Sequence, residues 1–208
     1  MEYEDAKTKI MGPYILQLTI FSYIWSGFEI FLKEILKNND IKNMGKINAT
    51  TLLLLNRFRT KSPIIKFSDI TNLFLKEIKN SSLKQVLYEV KIDKFTSKFG
   101  IPLKIIYKLR NQFVHGQIIF PEPENYSFAN TKNLVKIIKY SSTIVLLYIQ
   151  ALLILFLDKE KIEFAEYFEN GYIFEDSKTD KIDSKYVLER FHFVDFDIPK
   201  NNELTLFL

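Results

Sequence analysis

A chain of 208 residues with 47% apolar side chains is long enough for one domain with a substantial core, and its six glycines and six prolines are too few for a loop-rich or disordered protein. The formal charge of +4 and the pI near 9.0 permit a polyanionic partner without requiring one, because lysine and arginine are spread along the chain. The absence of cysteine excludes disulfides, thiolate zinc sites and cysteine nucleophiles, and it is compatible with a reducing cytoplasm.

The first predicted helix opens at Pro13 and continues to Leu36, because apolar residues recur along it at helical spacing. Glu29 is the exception within this apolar stretch. Its carboxylate is either a solvated charge on the outer face or a group directed at a functional site. The predicted core-facing set consists of Leu16, Ile20, Tyr23, Ile24, Phe28, Phe31, Leu32 and Ile35.

Three shorter helices are predicted in the next part of the chain. Residues 41–49 form a polar connection, and Thr50 or Thr51 caps the helix that follows. Ser68 caps the second of these helices, and residues 80–82 begin the third.

The next predicted helix opens at Gly100 and Pro102 and ends at Gly116, because glycine commonly occupies the left-handed position that follows a helix. Two prolines close behind it exclude a continuation. The core-facing residues of this helix are Ile105, Ile106, Leu109 and Phe113.

A long helix is predicted over residues 129–157, and its second half is apolar nearly all round, so it is either the central helix of the bundle or a partner-facing one. The apolar run at 144–157 falls short of the roughly 18–20 residues of a membrane span. We therefore interpret it as a buried core helix and expect no membrane association. The acidic N-terminus is unlike a signal peptide, which favours a cytoplasmic location. The composition changes after Asp158, so we predict an all-α domain over residues 1–158 and a small C-terminal appendage over 159–208, partly β with a hairpin.

The densest group of chemically active side chains lies near the end of the helix before Gly116. Asn111 and His115 are four residues apart and share a helix face, while Arg110 lies about 140° away from His115 around the axis. A long arginine can still reach forward, so we expect the three polar groups to converge at the end of the helix. The negative end of the helix dipole favours a protonated imidazole. A histidine that moves a proton beside a permanently charged guanidinium suits phosphodiester chemistry. The alternative is a histidine that only bonds the last carbonyls of the helix.

The stretch Leu-Arg-Asn-Gln-Phe-Val-His-Gly at residues 109–116 resembles the signature of HEPN domains, in which an arginine, a polar residue, a short spacer and a histidine lie in an all-helical bundle with a long central helix. The resemblance extends over roughly residues 13–158 and does not include the appendage. Residues 25–29, Trp-Ser-Gly-Phe-Glu, are also similar to an early helix of such domains, where an acidic residue often faces the site.

This resemblance implies a metal-independent endoribonuclease that needs no cofactor. The 2′-hydroxyl of RNA would attack its own phosphate and leave a 2′,3′-cyclic phosphate and a 5′-hydroxyl. His115 would be the general acid and base, Arg110 would stabilise the phosphorane, and Asn111 would position the phosphate or the histidine. Glu29 is the candidate acidic residue of the site. The active unit would be a homodimer with two motifs across a cleft.

A basic surface for the RNA is expected beside this site. Lys104 and Lys108 lie on the same helix as the motif. Arg57 and Arg59 form a second basic cluster, which is either a solvated helix end or a phosphate contact. The family resemblance also suggests a toxin or anti-phage defence role, with an antitoxin or regulatory protein as a further partner.

Two other hypotheses are compatible with the sequence. The first is a catalytically inactive HEPN-like module for dimerisation or RNA binding, and the second is a membrane-proximal protein that uses residues 144–157. The only other histidine, His192, lies between two phenylalanines and is interpreted as structural, because a metal site needs more ligands at suitable spacing. We therefore expect no metal site.

Overall fold

The computed structural model of the protein describes residues 7–37, 45–58, 64, 66–92, 96, 99–118 and 128–157. These residues form helices and turns and contain no β-strand, which confirms the all-α prediction for this part of the chain. The predicted appendage, with His192, lies outside the described residues, as does Arg59. The helices are α1 (Gly12–Leu36), α2 (Lys46–Phe58), α3 (Phe67–Lys79), α4 (Gln85–Glu89), α5 (Ile101–Val114) and α6 (Phe128–Leu157), with a π-helical turn at Lys7–Met11 and a 3-10 turn at Ser82–Lys84.

Helix α6 is the centre of the bundle, because α1 and α3 pack along it and α2 and α5 also contact it. Its buried serines satisfy their hydroxyls within the helix. Ser141 Oγ donates to the carbonyl of Ile137 at 2.8 Å and Ser142 Oγ donates to that of Ile138 at 3.1 Å. The two serines therefore lie in an apolar core without an unpaired hydroxyl. The contacts of α6 with the other helices confirm the prediction of a central long helix.

Helix α1 buries Phe28 and Leu32, as the sequence predicted, but its first half buries a different stripe from the predicted one. Leu16, Ile20 and Tyr23 are exposed, although they belonged to the expected core-facing set. The chain is almost continuously apolar here, so helical spacing alone allows more than one buried stripe. The stripe that carries the large aromatic rings is the one buried, which removes more apolar area from water. Its members are Tyr14, Phe21, Trp25, Phe28 and Leu32.

The predicted start of α2 was wrong. The helix begins at Lys46, inside the segment expected to be a polar connection, and Thr50 and Thr51 are buried within it. Their hydroxyls donate to the carbonyls of Lys46 at 2.8 Å and Asn48 at 2.9 Å. A threonine hydroxyl can either cap a helix start or, within a helix, donate to a carbonyl of the preceding turn. The sequence pattern does not distinguish these two roles.

The two later helix starts had different outcomes. Helix α3 begins at Phe67 after Lys66, whose φ of 63° is left-handed, so Ser68 lies inside the first turn and does not cap the helix. Ser81 does act as a cap, because its Oγ accepts a hydrogen bond from the backbone N–H of Leu83 at 3.1 Å. The prediction of a helix start at residues 80–82 is therefore confirmed.

Among the residues that the structure describes, two segments are long and apolar enough to cross a membrane by length and composition alone. In Thr131–Leu155 the most apolar window is 67% buried, as in the core helix of a bundle. In Gly12–Leu36 the corresponding share is only 22%, and this N-terminal helix was not identified as a candidate from the sequence. The absence of membrane association therefore stays a prediction.

Tyr148 on α6 joins the central helix to the start of α5. Its phenol donates to the carbonyl of Phe99 at 2.5 Å and accepts the backbone N–H of Leu103 at 3.2 Å. This N–H is one of those that a helix start leaves without an intrahelical partner. Complete burial raises the pKa of the Tyr148 phenol well above its ordinary value.

We expect Tyr148→Phe to lower the free energy of unfolding by about 1–3 kcal/mol, because it leaves the buried Phe99 carbonyl and the Leu103 N–H unpaired. A pKa raised in the folded state contributes stability below the unfolded tyrosine pKa, about 10, and this contribution is lost as the pH rises above it. The alkaline loss of stability should therefore be smaller in the variant. Urea denaturation at neutral and alkaline pH measures both effects. The exposed Tyr88→Phe is the control, and an equal change in both variants would contradict the prediction.

Candidate active site

Aromatic contacts fix how α1 lies against α5. The rings of Phe21 and Phe113 have centroids 6.5 Å apart, and those of Trp25 and Tyr107 stack at 6.0 Å with an angle of 25°. Residue numbers therefore rise along α1 as they fall along α5, so the two helices are antiparallel. Trp25 is buried, so its stack with Tyr107 is a fixed point between α1 and α5. This contact determines which polar residues of the two helices come close together.

Glu29 lies one turn after Trp25 and pairs with the arginine of the motif. Its Oε2 lies 3.8 Å from Nη2 of Arg110, and Nη1 of Arg110 donates to Oδ1 of Asn111 at 3.3 Å. The two charged side chains are 36% and 30% exposed. The pair contributes at most about 1 kcal/mol, because water competes at this exposure. Glu29 is thus neither a free surface charge nor a deeply buried one.

Helix α5 ends in a Schellman motif, in which the N–H of Gln117 donates to the carbonyl of Gln112 at 2.9 Å and that of Gly116 donates to the carbonyl of Phe113 at 3.3 Å. Gly116 has a φ of +64°, which a residue with a side chain adopts only with strain. The prediction that Gly116 ends the helix is confirmed. His115 occupies the C-cap position immediately before it.

The imidazole of His115 is exposed and makes no hydrogen bond to any residue that the structure describes. Only its backbone N–H is used, as a donor to the carbonyl of Asn111 at 3.0 Å. The side chain therefore does not bond the described carbonyls at the end of α5, which was the structural alternative for this histidine.

Polar contacts join three of the predicted site residues. Arg110 contacts Glu29 and Asn111, and no hydrogen bond between Arg110 and His115 is present among the described residues. Helical side chains lean towards the N-terminus of their helix, so the guanidinium extends back along α5, away from the residue that follows five positions later. The sequence could not decide this direction, because it depends on a carboxylate from another helix.

A cleft of about 550 Å³ begins at Glu29 and opens between α1, the start of α2, the end of α4 and α5. Lys104 and Lys108, the predicted RNA-binding lysines, both line it. Lys108 Nζ forms an ion pair with Glu89 Oε2 at 2.8 Å. Lys46, Lys91 and Tyr107 are among the lining residues that sequence reasoning missed.

The remaining predicted residues give less information. Arg57 lies in α2, but its side chain is not among those described. Within the described part of the chain, no three His, Cys, Asp or Glu side chains come together as a metal ion would require. Oε1 of Gln112, inside the motif, is buried and has no hydrogen-bond partner among the described residues.

No protein-family model matches this chain, and neither a curated protein nor a solved structure matches it. The resemblance to HEPN domains therefore stays a prediction from residues 109–116 and 25–29 of the sequence.

Proposed function

We propose that this chain is a metal-independent endoribonuclease whose reaction depends on His115 and Arg110. The observation that carries the proposal is the arrangement at the end of α5. An exposed imidazole lies at the C-cap of α5, and a guanidinium on the same helix is held by Glu29 and Asn111. Proton transfer and stabilisation of phosphoryl charge are the two requirements of RNA self-cleavage.

In the proposed reaction, an imidazole accepts the proton of a 2′-hydroxyl, and the 2′-oxygen forms a bond to the adjacent phosphorus. The bond from phosphorus to the 5′-oxygen breaks, and an imidazolium returns a proton to that oxygen. The products are a 2′,3′-cyclic phosphate and a 5′-hydroxyl. His115 carries the protons, and Arg110 stabilises the negative charge of the phosphorane.

The contacts of Arg110 suit a phosphate-binding role. The ion pair with Glu29 is long and partly exposed, so a phosphate oxygen can replace the carboxylate at small cost. Asn111 accepts from the guanidinium through Oδ1, which leaves its amide nitrogen as a donor to a second phosphate oxygen. Glu29 would then position Arg110 until RNA arrives.

The proposed active unit is a homodimer. Within the described part of one chain Arg110 is bonded to Glu29 and Asn111 and not to His115, so the arginine and the histidine of one site can come from two chains. Helix α1 carries exposed apolar side chains, and an exposed apolar patch commonly marks a surface that binds another chain. They include Ile15, Leu16, Ile20, Tyr23 and Ile30.

The second candidate function is an RNA-binding module without catalysis. The observation that favours it is the set of contacts that Arg110 makes, because a guanidinium held by Glu29 and Asn111 can bind phosphate without help from an imidazole. Such a module would retain RNA and leave it intact.

The test is the identity of the products in EDTA. A single-stranded RNA should be cut to fragments that end in a 2′,3′-cyclic phosphate, and the same strand with 2′-deoxyribose at every position should stay intact. Mass spectrometry distinguishes the cyclic ends from the 3′-phosphates or 3′-hydroxyls of other nucleases. The matched control is RNA incubated with heat-denatured protein. Cleavage of the deoxy strand, or bound RNA that is never cut, would refute the nuclease, and the second result would support the binding module.

A further inference from the structure

We propose that the cleft beside Glu29 binds one unpaired nucleotide of the RNA strand, with its base against Tyr107 and its phosphates at the lysines of the rim. This inference rests on the proposed function, because it supplies the substrate subsite next to Arg110. It goes beyond that function in assigning a position for the base and for the strand.

The lining of the cleft offers an aromatic surface. Tyr107 lines the cleft and is 40% exposed, while its ring stacks on the buried Trp25. A ring supported in this way is held in a fixed plane, which lowers the entropy cost of stacking a base on it. Leu32, Ile47 and Val90 add apolar walls. Bases of any sequence present an aromatic face to such a site.

The rim of the cleft is basic. Four lysines and two glutamates line it, so the local charge is positive by two. One of the lysines, Lys108, is paired with Glu89, and the other glutamate, Glu29, is the partner of Arg110. Lys46 and Lys91 are exposed and come from two separate parts of the chain, the start of α2 and the residues after α4. A cleft of about 550 Å³ is of the size that accommodates a small organic ligand.

The face of α5 connects this cleft to the motif. Lys104, Lys108 and Asn111 recur at helical spacing, and His115 continues the same line at the C-cap. The distance along the axis from Lys104 to His115 is about 16 Å, at 1.5 Å for each residue. A strand whose base enters the cleft can therefore follow α5 past Arg110 to the imidazole. This continuity favours a nucleotide within a strand over a free nucleotide.

The experiment measures binding without cleavage. A hexamer of 2′-O-methyl RNA, which lacks the attacking hydroxyl, is titrated into the full chain while the fluorescence of Trp25, the only tryptophan, is recorded. We expect Tyr107→Leu to weaken binding about tenfold, the size of one base–aromatic contact, and Tyr107→Phe to leave it unchanged. Leucine keeps apolar contact with Trp25, and thermal melting shows whether the fold is retained. For variants with altered fluorescence near Trp25, filter binding gives the same constant.

The lysines have a separate measurement. In the double variant Lys46→Gln and Lys91→Gln, the slope of log affinity against log salt should fall by about 0.7 for each phosphate contact that is lost. The matched control removes two exposed lysines that do not line the cleft, Lys76→Gln and Lys132→Gln, and should keep the slope of the parent.

Each result decides the inference. Binding that both Tyr107→Leu and the cleft double variant leave unchanged would overturn it, even if RNA is still cut elsewhere. If adenosine monophosphate binds as tightly as the hexamer, the claim that the cleft binds a nucleotide within a strand is wrong. The cleft would then be a site for a free nucleotide. Loss of hexamer binding in both variants supports the subsite, whether or not the chain proves to be a nuclease.

Discussion

His115→Ala is expected to lower the rate of RNA cleavage by about 10²–10⁴-fold, which is the usual contribution of a general acid or base. The imidazole is exposed and has no hydrogen bond to the described residues, so its removal takes nothing from the core. Alanine keeps the backbone N–H that donates to Asn111, and the Schellman end of α5 is retained. Folding should therefore be unchanged.

The measurement is the initial rate of cleavage in EDTA, with the melting temperature of each variant as a check on folding. The matched control is His192→Ala, which removes the only other histidine of the chain. If expression of the protein arrests growth, as the toxin hypothesis requires, His115→Ala should also relieve the arrest. If His115→Ala cleaves RNA at the rate of the parent, the nuclease does not depend on this histidine.

The part of the chain that the sequence predicted best is α5. Its limits follow from local chemistry, since Pro102 is favoured at a helix start and Gly116 can adopt the positive φ that ends the helix. The core-facing row was equally clear, because Ile105 and Leu109 are apolar in a helix whose other face carries lysines. Local signals are decisive where one residue type alone fits the backbone.

The orientation of α1 could not be predicted by the same reasoning. Between Tyr14 and Phe28 the helix has no charged residue to mark an outer face. The choice of the buried stripe was made by partners on other helices, such as Tyr107 against Trp25 and Phe113 against Phe21. A hydrophobic pattern identifies a face only when the opposite face is polar.

The candidate site shows the same division. The sequence brings Arg110, Asn111 and His115 close together, but the direction of the arginine depends on Glu29, a residue far away in the chain. The cleft is assembled from four separate elements, so no spacing along the chain indicates that Lys46 lies with the lysines of α5. Local motifs thus named the candidate residues, while the tertiary fold determined which groups face each other.

Arg110→Ala is expected to lower cleavage by about 10²–10³-fold, because it removes a donor that stabilises charge in the transition state. The more informative result is a mixed dimer of Arg110→Ala with His115→Ala. If each site takes its arginine from one chain and its histidine from the other, one of the two sites in the mixed dimer keeps both groups. Its activity should then return to about half of that of the parent, since the two sites are related by symmetry.

Two affinity tags, one on each variant, allow the mixed dimer to be isolated after coexpression. Light scattering should give twice the 24.6 kDa mass of the chain for the parent, both single variants and the mixed dimer. The matched control is a dimer in which both chains carry His115→Ala and each chain has a different tag. This dimer should remain inactive. If a pure mixed dimer does not recover cleavage, Arg110 and His115 of one site belong to the same chain. The guanidinium would then have to leave Glu29 and turn towards the end of α5. A strict monomer that cuts RNA would exclude the two-chain site, because one chain would then contain every group that the reaction needs.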